Sequence, residues 1–376
     1  MKGRLVFLDL LRGWATLVMV EVHVFNAFMQ TSCRGQEWFG VLNYVNGLVA
    51  PSFIFIAGFV FVIVGERKLE AFRTFGAVFW KQLGRIVLIL GTGYFLHLPS
   101  FPLSRMLRES TPDSWLRFAE VDVLHCIAVG LLILFILRIV IRPQDVFGYI
   151  LLVLALGTIF ASPFLWDHDF SLVMPPFLAA YINGTHYSLF PLFPWLGFML
   201  AAGFLASQYT RFRNEQREEL FIKRLALVSV LMIVVSHIIP NPHDIIGAAS
   251  PDARSNPWFF AERLGIVQLL LVACWFYARK RNTETSFVLD ISRESLLVYT
   301  VHLLLIYGLF FGDRSLSSLY GGSLSPALSA GATLLLALLM VLLAKVWGGL
   351  KRNSPGTARI TSYATIGIIL LVFVAR

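Results

Sequence analysis

The first apolar stretch of the chain, RLVFLDLLRGWATLVMVEVHVFNAFM, carries Asp9, Arg12, Glu21 and His23. An imidazole with an ordinary pKa near 6.5 removes protons around neutrality, and a guanidinium grips carboxylates or phosphates. Both are expensive in lipid: an ionised side chain at the bilayer centre costs roughly 3 kcal/mol even on mild scales, so such groups usually face a substrate, an ion or a partner. At about 100° and 1.5 Å per residue, Arg12 and His23 share one helical face about 16 Å apart. Asp9, Thr16 and Asn26 fall on or near that stripe. Glu21 lies about 180° from Arg12, and the spacing assigns it no role.

Other groups at membrane depth extend the set. Lys81 and Arg85, four residues apart, face one way and suit a polyphosphate, although paired cations are also common as simple membrane anchors. The stretch FAEVDVLHCIAVG places Glu120, Asp122 and His125 at the entry to an apolar run, and RESLLVYTVHLLLIY carries Tyr299 and His302. Depth alone allows His23, His125 and His302 to approach one another. Each also has a plainer reading: a buried histidine that only makes structural hydrogen bonds, and an Asp9–Arg12 ion pair at i, i+3 that merely lowers the cost of both charges.

The elements that must position these residues are helices in a membrane. The chain has 376 residues, 57% hydrophobic and 14% charged, with a mean hydropathy of +0.74, far from soluble composition. The expected fold is an all-α polytopic membrane protein of about 10 to 11 spans. Runs long enough to cross roughly 30 Å of hydrocarbon lie near 5–28, 47–65, 77–98, 118–137, 146–164, 188–207, 222–239, 258–277, 292–311, 326–347 and 359–375. Residues 170–187, with Pro175 and Pro176, read as an interrupted and potentially re-entrant stretch. Residues 1–376 are expected to form a single transmembrane domain.

The net charge of +9 does not indicate nucleic acid, because the basic residues sit in short loops where the positive-inside effect places them. Arg67, Lys68, Arg73, Lys81, Arg138, Arg142, Arg211, Arg213, Arg217, Arg279, Lys280, Arg281, Lys351 and Arg352 fall on one side of the alternating spans. That puts the N-terminus in the cytoplasm, Arg12 towards the cytoplasmic half of the first span and His23 towards the outer half. The first run is long, charged and without a small-residue cleavage motif, so it is expected to stay as an anchor. Cys33, Cys126 and Cys274 form neither a disulfide framework nor a recognisable metal site. No internal repeat of the kind that marks inverted-repeat transporters is evident.

These residues also resemble known families. Arg12 and His23 within LDLLRGWATLVMVEVHVF resemble the first-span signature of the membrane-bound acyltransferase-3 family. PSFIFIAGFVFVI at 51–63 is similar to its second-span motif, with Ala57 where a serine is common, and SRESLLVYTVHLLLIY at 292–307 resembles its late Ser, Tyr and His helix. LDLLRG, AGFVF, VDVLHCIAVG and FPLFPWLGFMLAAG resemble bacterial relatives of heparan-alpha-glucosaminide N-acetyltransferase. The first outer loop, TSCRGQEWFG, lacks the histidine that the animal enzyme is proposed to use there.

The resemblance implies acyl transfer, usually acetyl, from cytoplasmic acyl-CoA (acetyl-CoA, with no metal) to a hydroxyl or amine of a carbohydrate or glycoconjugate acceptor at the membrane or beyond it. It implies His23 as general base, with His302 and Asp122 as further catalytic residues. Arg12, Lys81 and Arg85 would hold coenzyme phosphates, His125 and Glu120 would contact the acceptor, and Asp9 would support Arg12. Asp122, Glu120 and Glu21 all stand open as the carboxylate that orients the imidazole, and direct transfer stands beside a route through an acyl-histidine. The expected setting is a bacterial cytoplasmic membrane with lipid as partner; homo-oligomerisation is left open. The competing class is a secondary transporter or exporter of an acidic or sugar-containing solute, using the same buried charges as a relay.

Overall fold

The computed structural model describes residues 5–240, 252–280, 286–308 and 314–375. The central part of the connection between the 222–239 and 258–277 runs, Arg281 and the last residues of the 292–311 run lie outside the described residues. The principal helices, in chain order, are α1 (Val6–Phe28), α2 (Glu37–Asn46), α3 (Val49–Arg67), α4 (Ala77–Leu96), α5 (Val123–Val140), α6 (Gln144–Trp166) and α7 (Leu192–Asn214). They continue with α8 (Glu218–Ile238), α9 (Pro257–Lys280), α10 (Phe287–Arg293), α11 (Ser295–Tyr307), α12 (Pro326–Asn353) and α13 (Pro355–Ala375). Among the described residues there is no strand, only an isolated bridge between Met29 and Leu324.

Among the described residues, eight helical stretches are long and apolar enough to cross a membrane: α2 running into α3 (Glu37–Arg67), α5 to α9, α12 and α13. The other three expected spans fall on α1, α4 and the α10–α11 pair. Helix α1 has the length but carries Asp9, Arg12 and Glu21, α4 carries Lys81 and Arg85, and α11 is a shorter apolar helix of 13 residues. The fold is therefore that of an all-α polytopic membrane protein. Local chemistry sets several helix starts. The apolar run expected from 118 becomes helical only at Val123, because Asp122 caps it. Ser325 caps α12 with Pro326 in its first turn, where a missing N–H costs nothing. The 170–187 stretch contains only a 3-10 turn at Phe170–Leu172 and a short helix at Pro176–Ala179.

The chain divides into two compact units, with one boundary before Ala50 and another inside α9 at Cys274. The first unit comprises residues 1–49, 100–109 and 274–376. Its core is Val20, Val24 and Phe28 of α1 against Ile291, Val298 and Ile306 of α10 and α11, with Met340 and Ala344 of α12. Close approach of α1 and α10 depends on Gly13, where a Cβ would overlap the Val288 carbonyl. Packing through small residues is how membrane helices associate when lipid offers no hydrophobic drive between them.

The second unit comprises residues 50–99 and 110–273. Here Gly58 of α3 meets the Met199 carbonyl of α7, and Gly203 of α7 leaves room for Leu151 of α6. Trp195 is 4% exposed and packs among Phe190, Phe198 and Phe259.

Candidate active site

In the first unit the α1 stripe forms as a continuous helix. Near its start, Asp9 is buried and accepts from Arg12 Nη2 at 2.7 Å, the i, i+3 ion pair. Arg12 also donates from Nε to Ser292 Oγ of α10 at 2.9 Å, and the Thr16 hydroxyl donates to the Arg12 carbonyl at 2.8 Å. The pairing lowers the cost of two charges at membrane depth. Glu21, which spacing left unassigned, accepts from Asn46 Nδ2 of α2 at 3.4 Å.

Further along the stripe, His23 meets His302. His302 is fully buried, and its Nε2 stands 2.9 Å from His23 Nδ1. His302 Nδ1 lies 2.7 Å from the Val298 carbonyl, and His23 Nδ1 lies 2.9 Å from that of Met19. Tyr299, one turn before His302, lies edge-on to both imidazoles. Two of the three histidines expected at similar depth are thus brought into contact, with only part of the His23 surface open.

The second unit carries the other candidate residues. Asp122 and His125 form a reciprocal cap: the Asp122 carboxylate accepts from Val123 N, and the Asp122 N–H donates to His125 Nδ1 at 3.2 Å. His125 is fully buried, against the rings of Tyr94 at 4.3 Å and His97 at 5.5 Å. Gly93 permits this, since a Cβ there would stand 2.9 Å from the imidazole. The Tyr94 hydroxyl in turn meets that of Tyr181 at 3.1 Å. Glu120 is half-buried beside this group; burial holds its carboxyl above the usual carboxylate range, opposed by His97 and Arg117 and reinforced by the charge of Asp122.

Lys81 and Arg85 are exposed on α4, one turn apart, with no ion-pair partner among the described residues. His97, Tyr94 and Tyr181 escaped the reading of the sequence. The available signal was the GTGYFLH ending of the third run, which sets His97 four residues after Gly93, whose carbonyl its Nδ1 meets at 3.0 Å. Among the described residues, no three His, Cys, Asp or Glu side chains are grouped to hold a metal ion.

Apolar helices long enough to cross a membrane, with ionisable side chains buried among them, define a multi-pass integral membrane protein. Residues 4–241 match the family model described as heparan-alpha-glucosaminide N-acetyltransferase, catalytic. The match covers most of the chain, and the protein belongs to this family of membrane acyltransferases. Membership carries an acetyltransferase activity of the N-acetyltransferase type. No protein of curated function matches the chain. The matched segment contains His23, Arg12 and the whole Asp122–His125 cap, whereas Ser292 and His302 come from beyond it.

Proposed function

We propose that this protein transfers an acetyl group from acetyl-CoA to a hydroxyl or amine of a carbohydrate acceptor, with His23 as general base. The observation that carries this reading is the contact between His23 and His302, a histidine pair held by packing at the end of a polar stripe within an acetyltransferase family. A base must lie within hydrogen-bond reach of the proton it removes and be held there by its neighbours. His23 removes the proton as the acceptor oxygen or nitrogen attacks the thioester carbonyl. The carbon–sulfur bond breaks, and the coenzyme thiolate leaves with that proton returned from the imidazolium. Direct transfer needs no acyl-enzyme intermediate and is the route we favour.

Residue roles follow their environments. Lys81 and Arg85, exposed cations on α4, are assigned to coenzyme phosphates. Arg12 is tied to Asp9 and Ser292, so we assign it the docking of α1 on α10. Glu120 is assigned to the acceptor, with His125 contacting it through its ring or holding the wall of that site, and Asp122 as the residue that positions His125. A cytoplasmic N-terminus and a bacterial cytoplasmic membrane fit the distribution of Lys and Arg between spans. Incubating the purified protein with labelled acetyl-CoA and a panel of amino sugars and neutral sugars tests the reading. Acceptor-dependent release of free coenzyme A is expected. Solute flux without acyl chemistry would replace it with the transporter reading.

A further inference from the structure

A neutral imidazole has one N–H and one bare nitrogen, and which is which follows from its partners. His302 Nδ1 lies 2.7 Å from the Val298 carbonyl. A carbonyl only accepts, so Nδ1 bears the hydrogen and Nε2 bears the lone pair. That lone pair stands 2.9 Å from His23 Nδ1. His23 Nδ1 is itself 2.9 Å from the Met19 carbonyl, so it too bears hydrogen, shared between the Met19 oxygen and His302 Nε2. The unprotonated nitrogen of His23 is then Nε2.

We infer that His302 is a positioning residue that locks His23 in the Nδ1–H tautomer, making His23 Nε2 the basic atom. The inference rests on the proposed role of His23 as base. In Ser-His-Asp enzymes a buried carboxylate accepts from the Nδ1–H of the catalytic imidazole and fixes its tautomer and orientation. Here a neutral imidazole does so from a fully buried position, without placing another negative charge at membrane depth. When His23 Nε2 takes the acceptor's proton, Nδ1–H stays directed at the His302 lone pair. His302 remains neutral throughout, and the proton leaves from His23 Nε2 to the departing thiolate.

The backbone carbonyls make the arrangement one of register. The Nδ1 atoms of His23 and His302 each reach back four residues along their own helix. A ring held in this way is aimed by the helix itself, so the pair meets only if α1 and α11 pack in this register.

The test combines nitrogen NMR with kinetics. Selective ¹⁵N-histidine labelling of the full-length protein should show His23 protonated at Nδ1 and bare at Nε2. His302→Leu removes the acceptor, and His302→Gln restores one in its side-chain oxygen. His302→Leu should lower kcat roughly 10²- to 10⁴-fold, the scale seen when a triad tautomer is lost, with KM for acetyl-CoA within about twofold. His302→Gln should recover at least tenfold of that loss. A wild-type His23 protonated at Nε2, or equal losses in the Leu and Gln variants, would overturn the inference. Full activity in His23→Ala would remove the base assignment, while the nitrogen spectrum of the wild type would still decide the tautomer.

Discussion

Arg12 donates through Nε to Ser292 Oγ at 2.9 Å, joining α1 to α10 across 280 residues of sequence. The next helix, α11, meets α1 again at His23 and His302. Residues 12 to 23 of α1 therefore run alongside 292 to 302 of the α10–α11 pair, and the two polar contacts are nearly equally spaced along both segments. Gly13 lets the backbones approach beside the first contact, and Val20, Ile291 and Val298 belong to one apolar core of the same unit. The LDLLRG motif thus acts as a clamp that sets the register in which the histidines meet.

If Arg12 is that clamp, Arg12→Lys keeps the charge but loses the fork that serves Asp9 and Ser292 together. Thermal unfolding in detergent should show a loss of about 1–3 kcal/mol, and kcat should fall with the histidine register while KM for acetyl-CoA changes little. Arg85→Ala should behave in the opposite way, with unchanged stability and KM raised roughly tenfold, the effect of about 1.4 kcal/mol of lost binding. A large KM change with normal stability in Arg12→Lys would give Arg12 to the coenzyme instead.

Gly13→Ala tests the backbone approach. Its new Cβ would overlap the Val288 carbonyl, and overpacking of a fitted interface costs typically 1–3 kcal/mol. Gly84→Ala is the control, since nothing lies within 4 Å of that position and alanine is the better helix former by about 1 kcal/mol. The expected result is a lower Tm for the first and an unchanged or higher Tm for the second. Equal behaviour of the two would contradict the packing account.

Glu120 should make stability depend on pH. Burial holds its carboxyl above the usual range, so the folded protein keeps this proton at pH values where the unfolded chain has released it. The folded state then binds more protons, and its stability falls as pH rises from the ordinary Glu pKa of about 4.3 through the raised value. Glu120→Gln removes this dependence. Its Tm relative to the parent should therefore be higher at pH 8 than at pH 4, and a difference that stays flat between these values would contradict the assignment.

The reading of the sequence reached the stripe because helical period alone puts Arg12 and His23 on one face, and apolar run length alone located eleven helical segments. It also offered the Asp9–Arg12 pair, since i, i+3 neighbours on a helix touch whatever surrounds them. What it lacked was contact between distant segments. That His302 meets His23 depends on how α11 packs on α1. Asp122 stands open in the sequence, with Glu120 and Glu21, as the carboxylate that orients the imidazole, yet its position just before an apolar run, three residues from His125, is also an N-cap pattern. His97 went unnoticed because its relation to His125 arises from the packing of α4 on α5, which leaves no periodic trace.

The most direct measurement is acceptor-dependent release of coenzyme A from labelled acetyl-CoA by purified wild type and His23→Ala, each checked for an unchanged Tm. The account predicts turnover in the wild type and a loss of at least about 10²-fold in the variant, the lower range of a general base's contribution. Wild-type turnover that survives in His23→Ala would contradict it.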